Sequence, residues 1–374
     1  MATEYTILDK VKENILGQAS VGDFVLRERG AVDSAKVVEN PHASLYAVDL
    51  QNQQGIFVQS DPAVDLCVEP FYYIAQYENA TRVLTVPFAD MIALGRKLPL
   101  NEERLVFIQS TGRAGSTLAS QIFAQLDGVA NISEPDALSD LVATQNSGLL
   151  DKADLAALTD ATVRILANVR AEGGHVIKGR SYAMELGELF NELYPRARSV
   201  FLYRNLKSYT LSSLRAYDDG VQRSDEENQE LLAGIRAWFS TLLPMIADVP
   251  EEQPLSAVDI IGLQWLSVMD RYVKLHEKGV EMLAIDYQSW IVAPRETAEA
   301  MLDYCNMLPD DLTAVYAALK QDSQEGTVLS RSEVRDHDTW LKTADLLELD
   351  DLLAQQPLIK TADFVAPNTL GRQR

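Results

Sequence analysis

The sequence has few cysteines, no long apolar run and a shortage of positive charge. Its 374 residues include only Cys67 and Cys305, too few for a disulfide framework, which favours a reducing compartment. No stretch approaches the roughly 18 apolar residues that a spanning helix needs, and no secretory signal pattern opens the chain. A net charge of −22 argues against nonspecific binding to nucleic acid or anionic membranes. We therefore expect a cytoplasmic globular protein without nucleic-acid partners or membrane insertion.

The acidity is unevenly distributed along the chain. The stretch from Arg104 to Arg215 holds 12 Lys/Arg and 11 Asp/Glu, whereas the rest of the sequence is strongly acidic. A near-neutral stretch in an acidic chain favours a site for an anionic ligand. The alternative is that any α/β core carries fewer surface acids than its helical periphery, and charge alone does not decide between the two.

Two regions with different patterns are predicted. Residues 1–100 are predicted to form a small N-terminal α+β segment, with an amphipathic helix over 7–15, a hairpin over 44–58 and helices beginning near Phe71 and Phe88. From residue 101 to 374, short apolar strands alternate with helical patterns. Because alternating strands and helices favour a parallel sheet, this region is predicted to be an α/β domain with a doubly wound parallel sheet of about five strands.

The strongest local motif follows the first of these strands. It predicts a P-loop-like phosphate-binding loop, because glycines let the backbone approach an anion and the next helix directs its N–H groups at it. A nucleotide kinase has lysine before the Ser/Thr of this loop, but Ser116 occupies that position and the cation is Arg113. A plain strand–helix turn is the alternative. The loop consists of Gly112, Arg113, Ala114, Gly115, Ser116 and Thr117.

A second motif follows the apolar strand at 199–203. Arg204 and Asn205 come directly after that strand, and Ser212 follows two helical turns later. The carboxyl end of a strand is where open α/β sheets bind ligands, and a guanidinium offers several donors to a phosphate. A surface arginine and an unrelated helix serine remain the alternative.

In this order the motifs resemble those of the sulfotransferases that use 3′-phosphoadenosine 5′-phosphosulfate (PAPS). A third match, from Met282 through Tyr287 to Pro294-Arg295-Glu296, is similar to the family's late strand, tyrosine and helix start. The resemblance covers about residues 103–310. It implies that residues 113–117 hold the 5′-phosphosulfate and that Arg204 and Ser212 hold the 3′-phosphate.

The resemblance also bears on the general base. The sequence has no histidine after the third strand, where cytosolic members place their base, but Glu134-Pro135 after the second strand is similar to carbohydrate-type and bacterial members. This implies Glu134 as the base, in the extended geometry that proline favours for its predecessor; a helix-starting turn is the alternative. Lys178 and Arg180 are expected to add positive charge near the sulfuryl group. Arg331 is the candidate from the family's C-terminal loop.

The expected function is transfer of a sulfuryl group from PAPS to a hydroxyl or amine of a small-molecule or carbohydrate acceptor, without a metal. The alternatives are a P-loop small-molecule kinase, which would depend on ATP and Mg²⁺, and a nucleotide-binding protein without turnover. The overall negative charge favours a neutral alcohol or amine over a polyanionic glycan as acceptor.

Overall fold

The computed structural model describes residues 1–169, 172–217, 224–321 and 341–371. The chain divides into two compact units. The first unit comprises Met1–Phe107, Phe123–Arg180 and Leu189–Arg198, and the second comprises Ile108–Ile122, Ser181–Glu188 and Ser199–Arg374.

An antiparallel sheet of five strands forms the N-terminal part of the first unit, in the order β2-β1-β5-β4-β3. Aromatic and β-branched side chains from these strands build its core, among them the fully buried Tyr46, Ile56 and Val58. The predicted hairpin at 44–58 is confirmed as the antiparallel pair β3–β4. The strands are β1 (Ala2–Lys10), β2 (Phe24–Val32), β3 (Ala43–Asp49), β4 (Gln54–Ser60) and β5 (Ala80–Pro87), and the helices are α1 (Ser34–Val38), α2 (Tyr72–Asn79) and α3 (Phe88–Gly95).

The prediction of a helix over 7–15 is wrong. Residues 7–10 belong to β1 and residues 11–15 form no helix. Along its length β1 pairs with β2, and its residues 3–6 also pair with β5. Tyr5 and Ile7 are two residues apart and both pack against the core, which is the period of a strand. Pairing with β2 and the β-favouring Thr, Tyr and Ile side chains of β1 outweigh the weak helical pattern.

The second sheet has five parallel strands in the order β10-β9-β6-β8-β7, which confirms the predicted sheet of about five strands. All six residues of its central strand are buried, as its continuous apolar sequence predicts. The strands are β6 (Leu105–Ser110), β7 (Val129–Ser133), β8 (Gly174–Lys178), β9 (Arg198–Tyr203) and β10 (Leu283–Asp286).

Helices follow or separate the strands of this sheet. Those that bear on the site are α4 after β6, α8 after β9 and α12 after β10, while a 3₁₀ turn over Ser181–Leu186 follows β8. The helices are α4 (Ser116–Ala124), α5 (Ala137–Ser147), α6 (Lys152–Leu166), α7 (Gly187–Leu193), α8 (Leu206–Tyr217), α9 (Asp225–Ser240), α10 (Pro244–Ala247), α11 (Ala257–Glu277), α12 (Tyr287–Val292), α13 (Pro294–Tyr304), α14 (Thr313–Ala318) and α15 (Thr343–Ala354).

The long helix α11 lies in the second unit and most of its residues are buried. Its start is fixed by a capping box, in which Asp259 N–H donates to Ser256 Oγ (3.0 Å) and Ser256 N–H donates to the Asp259 carboxylate (2.9 Å). In its middle, the fully buried Trp265 donates its indole N–H to the carbonyl of Arg204 (2.8 Å). This bond fixes the backbone at the carboxyl end of β9, from which the Arg204 side chain extends.

Candidate functional site

The loop between β6 and α4 has a backbone suited to an anion. Gly112, Arg113 and Gly115 have φ values of 82°, 51° and 83°, so three of its residues lie in the left-handed region. Tight turns of this kind can direct successive N–H groups to one side, where an anion binds. Thr111 N–H donates to the Leu202 carbonyl (3.0 Å), which ties the start of the loop to β9. The first N–H groups of α4 have no acceptor within the helix, so an anion is a natural partner for them.

The structure brings Arg113, Arg204 and Ser212 together, although they are distant in sequence. Arg113 Nε donates to Ser212 Oγ (3.1 Å), and Arg204 Nη1 donates to the Arg113 carbonyl (3.3 Å). Ala114 is fully buried in the same loop, and Ser116 and Thr117, at the start of α4, are also buried. All these residues lie in the second unit. The two motifs that the sequence predicted to bind phosphates are therefore in direct contact.

Arg204 is half-buried and lies over an aromatic ring. Its Cζ is 4.4 Å from the centroid of the Tyr287 ring, a cation–π arrangement. Burial lowers the pKa of Arg204, the Tyr287 side chain opposes that change, and the nearby Arg113 and Arg215 lower it further. Among the described residues, no carboxylate forms an ion pair with Arg204. A partly desolvated cation near two others is most stable when an anion joins them.

Sequence reasoning gave no role to two neighbours of this loop, Tyr287 and Trp290. A methyl group on Gly115 would lie 3.2 Å from Trp290 Cδ1, which is a tight contact, and 3.5 Å from Tyr287 Cδ2, so the two rings pack closely against this glycine. Trp290 is buried, and its indole N–H has no acceptor among the described residues. The signals in the sequence were the third family match, which includes Tyr287, and a spacing of three residues that places both side chains on one face of α12.

A second group of predicted residues lies in the first unit, where β7 and β8 end side by side. Ser133 is opposite Lys178 in the parallel register, and Glu134 N–H donates to the Lys178 carbonyl (2.7 Å). The Glu134 carboxylate accepts from Lys178 Nζ in an ion pair. The Lys178 side chain is 1% exposed, whereas that of Glu134 is 18% exposed. The carboxylate is thus the open end of a buried pair.

The predicted extended geometry of Glu134 is wrong. Its φ is 60°, in the left-handed region that non-glycine residues rarely occupy. The preference imposed by Pro135 is overridden by the backbone bond to Lys178 and by the ion pair between the two side chains. Residues held in such conformations tend to cluster at functional sites.

Arg180 is held by several groups of the first unit. Its Nε lies 3.4 Å from Asp136 Oδ1 and 3.9 Å from Glu134 Oε2, and its Nη2 donates to the Leu16 carbonyl (3.1 Å). Its Cζ is 4.1 Å from the Tyr73 ring centroid. The sequence reasoning placed Arg180 at this strand end but did not foresee Asp136, Leu16 or Tyr73 as its neighbours.

Of the other candidate residues, only His175 lies within the described residues. Arg331 lies outside the described residues. His175 is buried at the start of β8, where its Nε2 contacts the Val169 carbonyl (3.2 Å) and burial lowers its pKa. Among the described residues, no group of three or more His, Cys, Asp or Glu is arranged to hold a metal ion. Within the same ranges, no helix has the length and apolarity to cross a membrane.

Comparison of the chain with known proteins gives weak structural similarities. No protein-family model matches the sequence, and no curated protein matches it significantly. A sulfotransferase domain from the curacin biosynthetic pathway is similar over 67% of this chain and 97% of its own, with 16% identity and a TM-score of 0.39. A sulfotransferase from Alicyclobacillus acidocaldarius matches 67% of this chain and 90% of its own chain, with 14% identity and a TM-score of 0.39. A sulfotransferase from Mycobacterium tuberculosis H37Rv matches 63% of this chain and 78% of its own chain, with 11% identity and a TM-score of 0.35. Because these values are low, a functional proposal depends on the residues of this chain.

Proposed function

We propose that this protein is a sulfotransferase that transfers the sulfuryl group of PAPS to a hydroxyl or amine acceptor. The observation that carries the proposal is the contact of Arg113, Arg204 and Ser212, with Arg204 partly buried and without a carboxylate partner among the described residues. A guanidinium in this state favours a phosphate, which offers several acceptor oxygens and negative charge. The order of the sequence motifs adds independent support.

The residues of the second unit would hold the nucleotide. Arg204 and Ser212 would donate to the 3′-phosphate, while the left-handed loop and the start of α4 would donate to the 5′-phosphosulfate. Arg113 belongs to the loop that would bind the 5′-phosphosulfate, so it is suited to the charge that develops on the leaving phosphate oxygen. The loop has no lysine before Ser116, which makes it a poor match for a kinase site that binds a γ-phosphate and Mg²⁺.

Glu134 would act as the general base. In the proposed reaction the acceptor oxygen or nitrogen forms a bond to sulfur, the bond from sulfur to the phosphate oxygen breaks, and Glu134 takes the acceptor proton. The desulfated nucleotide, 3′-phosphoadenosine 5′-phosphate (PAP), leaves with the electron pair of the broken bond. Lys178, buried against the same carboxylate, would hold it in place through the ion pair. The acceptor is proposed to be a neutral small molecule or carbohydrate.

Thermal unfolding with PAP tests this function without knowledge of the acceptor. A ligand that binds only the folded state stabilises it by about 2.7 kcal/mol at 100 times its Kd. We expect PAP without metal to raise Tm clearly and ATP with Mg²⁺ to raise it much less, because only PAP has a 3′-phosphate for Arg204 and Ser212.

Two variants sharpen the measurement. Arg204→Ala should remove most of the PAP-dependent shift, whereas Arg295→Ala, which removes an arginine that also lies over a tyrosine ring, Tyr316, should keep it. A larger shift with ATP and Mg²⁺ than with PAP would contradict a sulfotransferase and favour a kinase. No shift with either ligand would contradict both.

A further inference from the structure

Glu134 adopts a conformation that needs external support. Glu134 precedes a proline and has a φ of 60°, a conformation that the isolated chain would rarely populate. Two direct contacts are with Lys178, through the backbone bond of 2.7 Å and through the ion pair of the side chains. Lys178 is itself buried, with its Nζ 5.9 Å from the Phe71 ring centroid. One side of the carboxylate is thereby fixed.

Arg180 and Asp136 border the other oxygen of the carboxylate. Arg180 Nε lies 3.9 Å from Glu134 Oε2 and 3.4 Å from Asp136 Oδ1. The Asp136 side chain is fully buried and also accepts from Ser139 Oγ (2.6 Å) at the start of α5. Since a buried charge must be compensated, Arg180 and Asp136 stabilise each other and keep a guanidinium beside Glu134.

Residues of the N-terminal region hold this second pair. The Leu16 carbonyl accepts from Arg180 Nη2 (3.1 Å), and Ala19 N–H donates to Asp136 Oδ2 (2.6 Å). The ring of Tyr73 lies under the guanidinium, with its centroid 4.1 Å from Arg180 Cζ. These contacts come from the segment 16–19 and from α2, both within the part of the sequence that predicts only an accessory segment.

We propose that the segment 16–19 and Tyr73 position the general base of the reaction, acting through Arg180 and Asp136. Arg180 is then a positioning residue: its guanidinium orients the Glu134 carboxylate and does not need to reach the sulfuryl group. The N-terminal region becomes a functional part of the catalytic machinery. This inference rests on the proposed sulfotransferase function, in which Glu134 is the base.

The test compares Arg180→Ala with Arg164→Ala. PAPS is supplied without an acceptor, so that water takes the sulfuryl group, and release of PAP is measured. Arg180→Ala should lower the hydrolysis rate by about 10- to 100-fold, the range for a misplaced catalytic group, with PAP affinity unchanged. Millimolar guanidinium should restore part of that rate. Arg164 has similar partners in the same unit, Asp160 (2.8 Å) and the Leu98 carbonyl (3.0 Å), so Arg164→Ala should show neither effect.

A second variant covers the case in which Arg180→Ala does not fold. Tyr73→Leu keeps the guanidinium and removes the ring beneath it, so it should lower hydrolysis less, again without loss of PAP affinity. Hydrogen exchange of the Ala19 and Glu134 amides reports the contacts directly, and both should lose protection in the folded variants.

The outcomes separate the two proposals. A wild-type protein that neither binds PAP nor hydrolyses PAPS would overturn the proposed function, before any variant is considered. Hydrolysis in the wild type that persists unchanged in both folded variants would overturn the positioning role alone. Loss of hydrolysis in Arg180→Ala with the same loss in Arg164→Ala, or without guanidinium rescue, would also overturn it, because the effect would then be one of stability.

Discussion

Individual charged residues determine what this protein can bind. Arg204 is partly buried, lies over Tyr287 and has Arg113 and Arg215 nearby, so these residues concentrate positive charge within a chain of net charge −22. In the other unit, the open carboxylate of Glu134 is paired with a lysine that is almost fully buried. Each arrangement is costly unless it is compensated, by an anion in the first case and by the lysine in the second.

Glu134→Gln tests the proposed base. Glutamine keeps the size of the side chain but cannot take a proton, so PAPS turnover should fall by about 10²–10⁴-fold, while PAP affinity is unchanged. Glu192→Gln is the matched control, because Glu192 also pairs with a lysine, Lys152 (2.8 Å), at an exposed position of the same unit. Calorimetry and PAP release measure the two effects. Turnover at the wild-type rate in Glu134→Gln would transfer the role to another group or to an acceptor that needs no base.

Glu185 predicts a pH dependence of stability. Burial raises its pKa to about 7, opposed by the Arg271 guanidinium, from an ordinary value of 4.5. Because the folded state holds the proton more tightly, the stabilisation from this group is complete below the unfolded pKa and is lost as the pH rises through about 7.

The corresponding variant is Glu185→Gln, which resembles the protonated side chain at every pH. Between pH 5.5 and pH 8, the free energy of unfolding of the variant should rise relative to the wild type by about 2 kcal/mol, since each pKa unit corresponds to ~1.4 kcal/mol. Urea unfolding at several pH values measures this difference. A difference that does not change with pH would show that Glu185 titrates normally.

At the scale of elements, the β6–α4 loop packs against α12. The loop supplies the left-handed backbone, and α12 places Tyr287 under Arg204 and Trp290 against Gly115. The sequence marked both segments as motifs, but it did not show that they touch. The φ of 83° at the position before Ser116 favours glycine, and the contact with Trp290 adds crowding to the cost of a larger residue there.

Gly115→Ala and Gly279→Ala separate backbone strain from crowding. Both glycines have φ of 83°, where alanine costs about 1–2 kcal/mol, but a Cβ at Gly279 would meet nothing within 4 Å. Gly115→Ala would also press on the Trp290 ring at 3.2 Å. We therefore expect both variants to lose stability in urea unfolding, with the larger loss in Gly115→Ala, and only that variant to lose PAP affinity. Equal losses of stability and unchanged binding in both would contradict the role assigned to α12.

At the scale of the whole molecule, the candidate functional residues are divided between two compact units. The second unit contains the arginine cluster and its loop, and the first contains Glu134 with its supporting contacts. The segment 16–19 and Tyr73, remote in sequence from β7 and β8, belong to the same unit as the candidate base. The contacts of the candidate base are thus not confined to the part of the sequence that carries the recognisable motifs.

The sequence by itself determined the parallel sheet and most candidate residues. Apolar strands buried on both faces need a continuous run of apolar residues, and turns with positive φ need glycine, so β6 and its loop are visible in one dimension. The motif order likewise pointed to Arg113, Arg204 and Ser212, which the structure joins.

Only the tertiary structure decided the rest. Residues 2–10 form a strand because β2 pairs along the segment and β5 pairs with residues 3–6 on the other side, which no local pattern reports. The backbone of Glu134 lies in the left-handed region, against the local preference before proline, because its N–H donates to the Lys178 carbonyl and its carboxylate pairs with the Lys178 side chain. The neighbours of Arg180 come from positions 16, 73 and 136. Such contacts depend on which distant segments share a surface, whereas local sequence records only what each segment prefers alone.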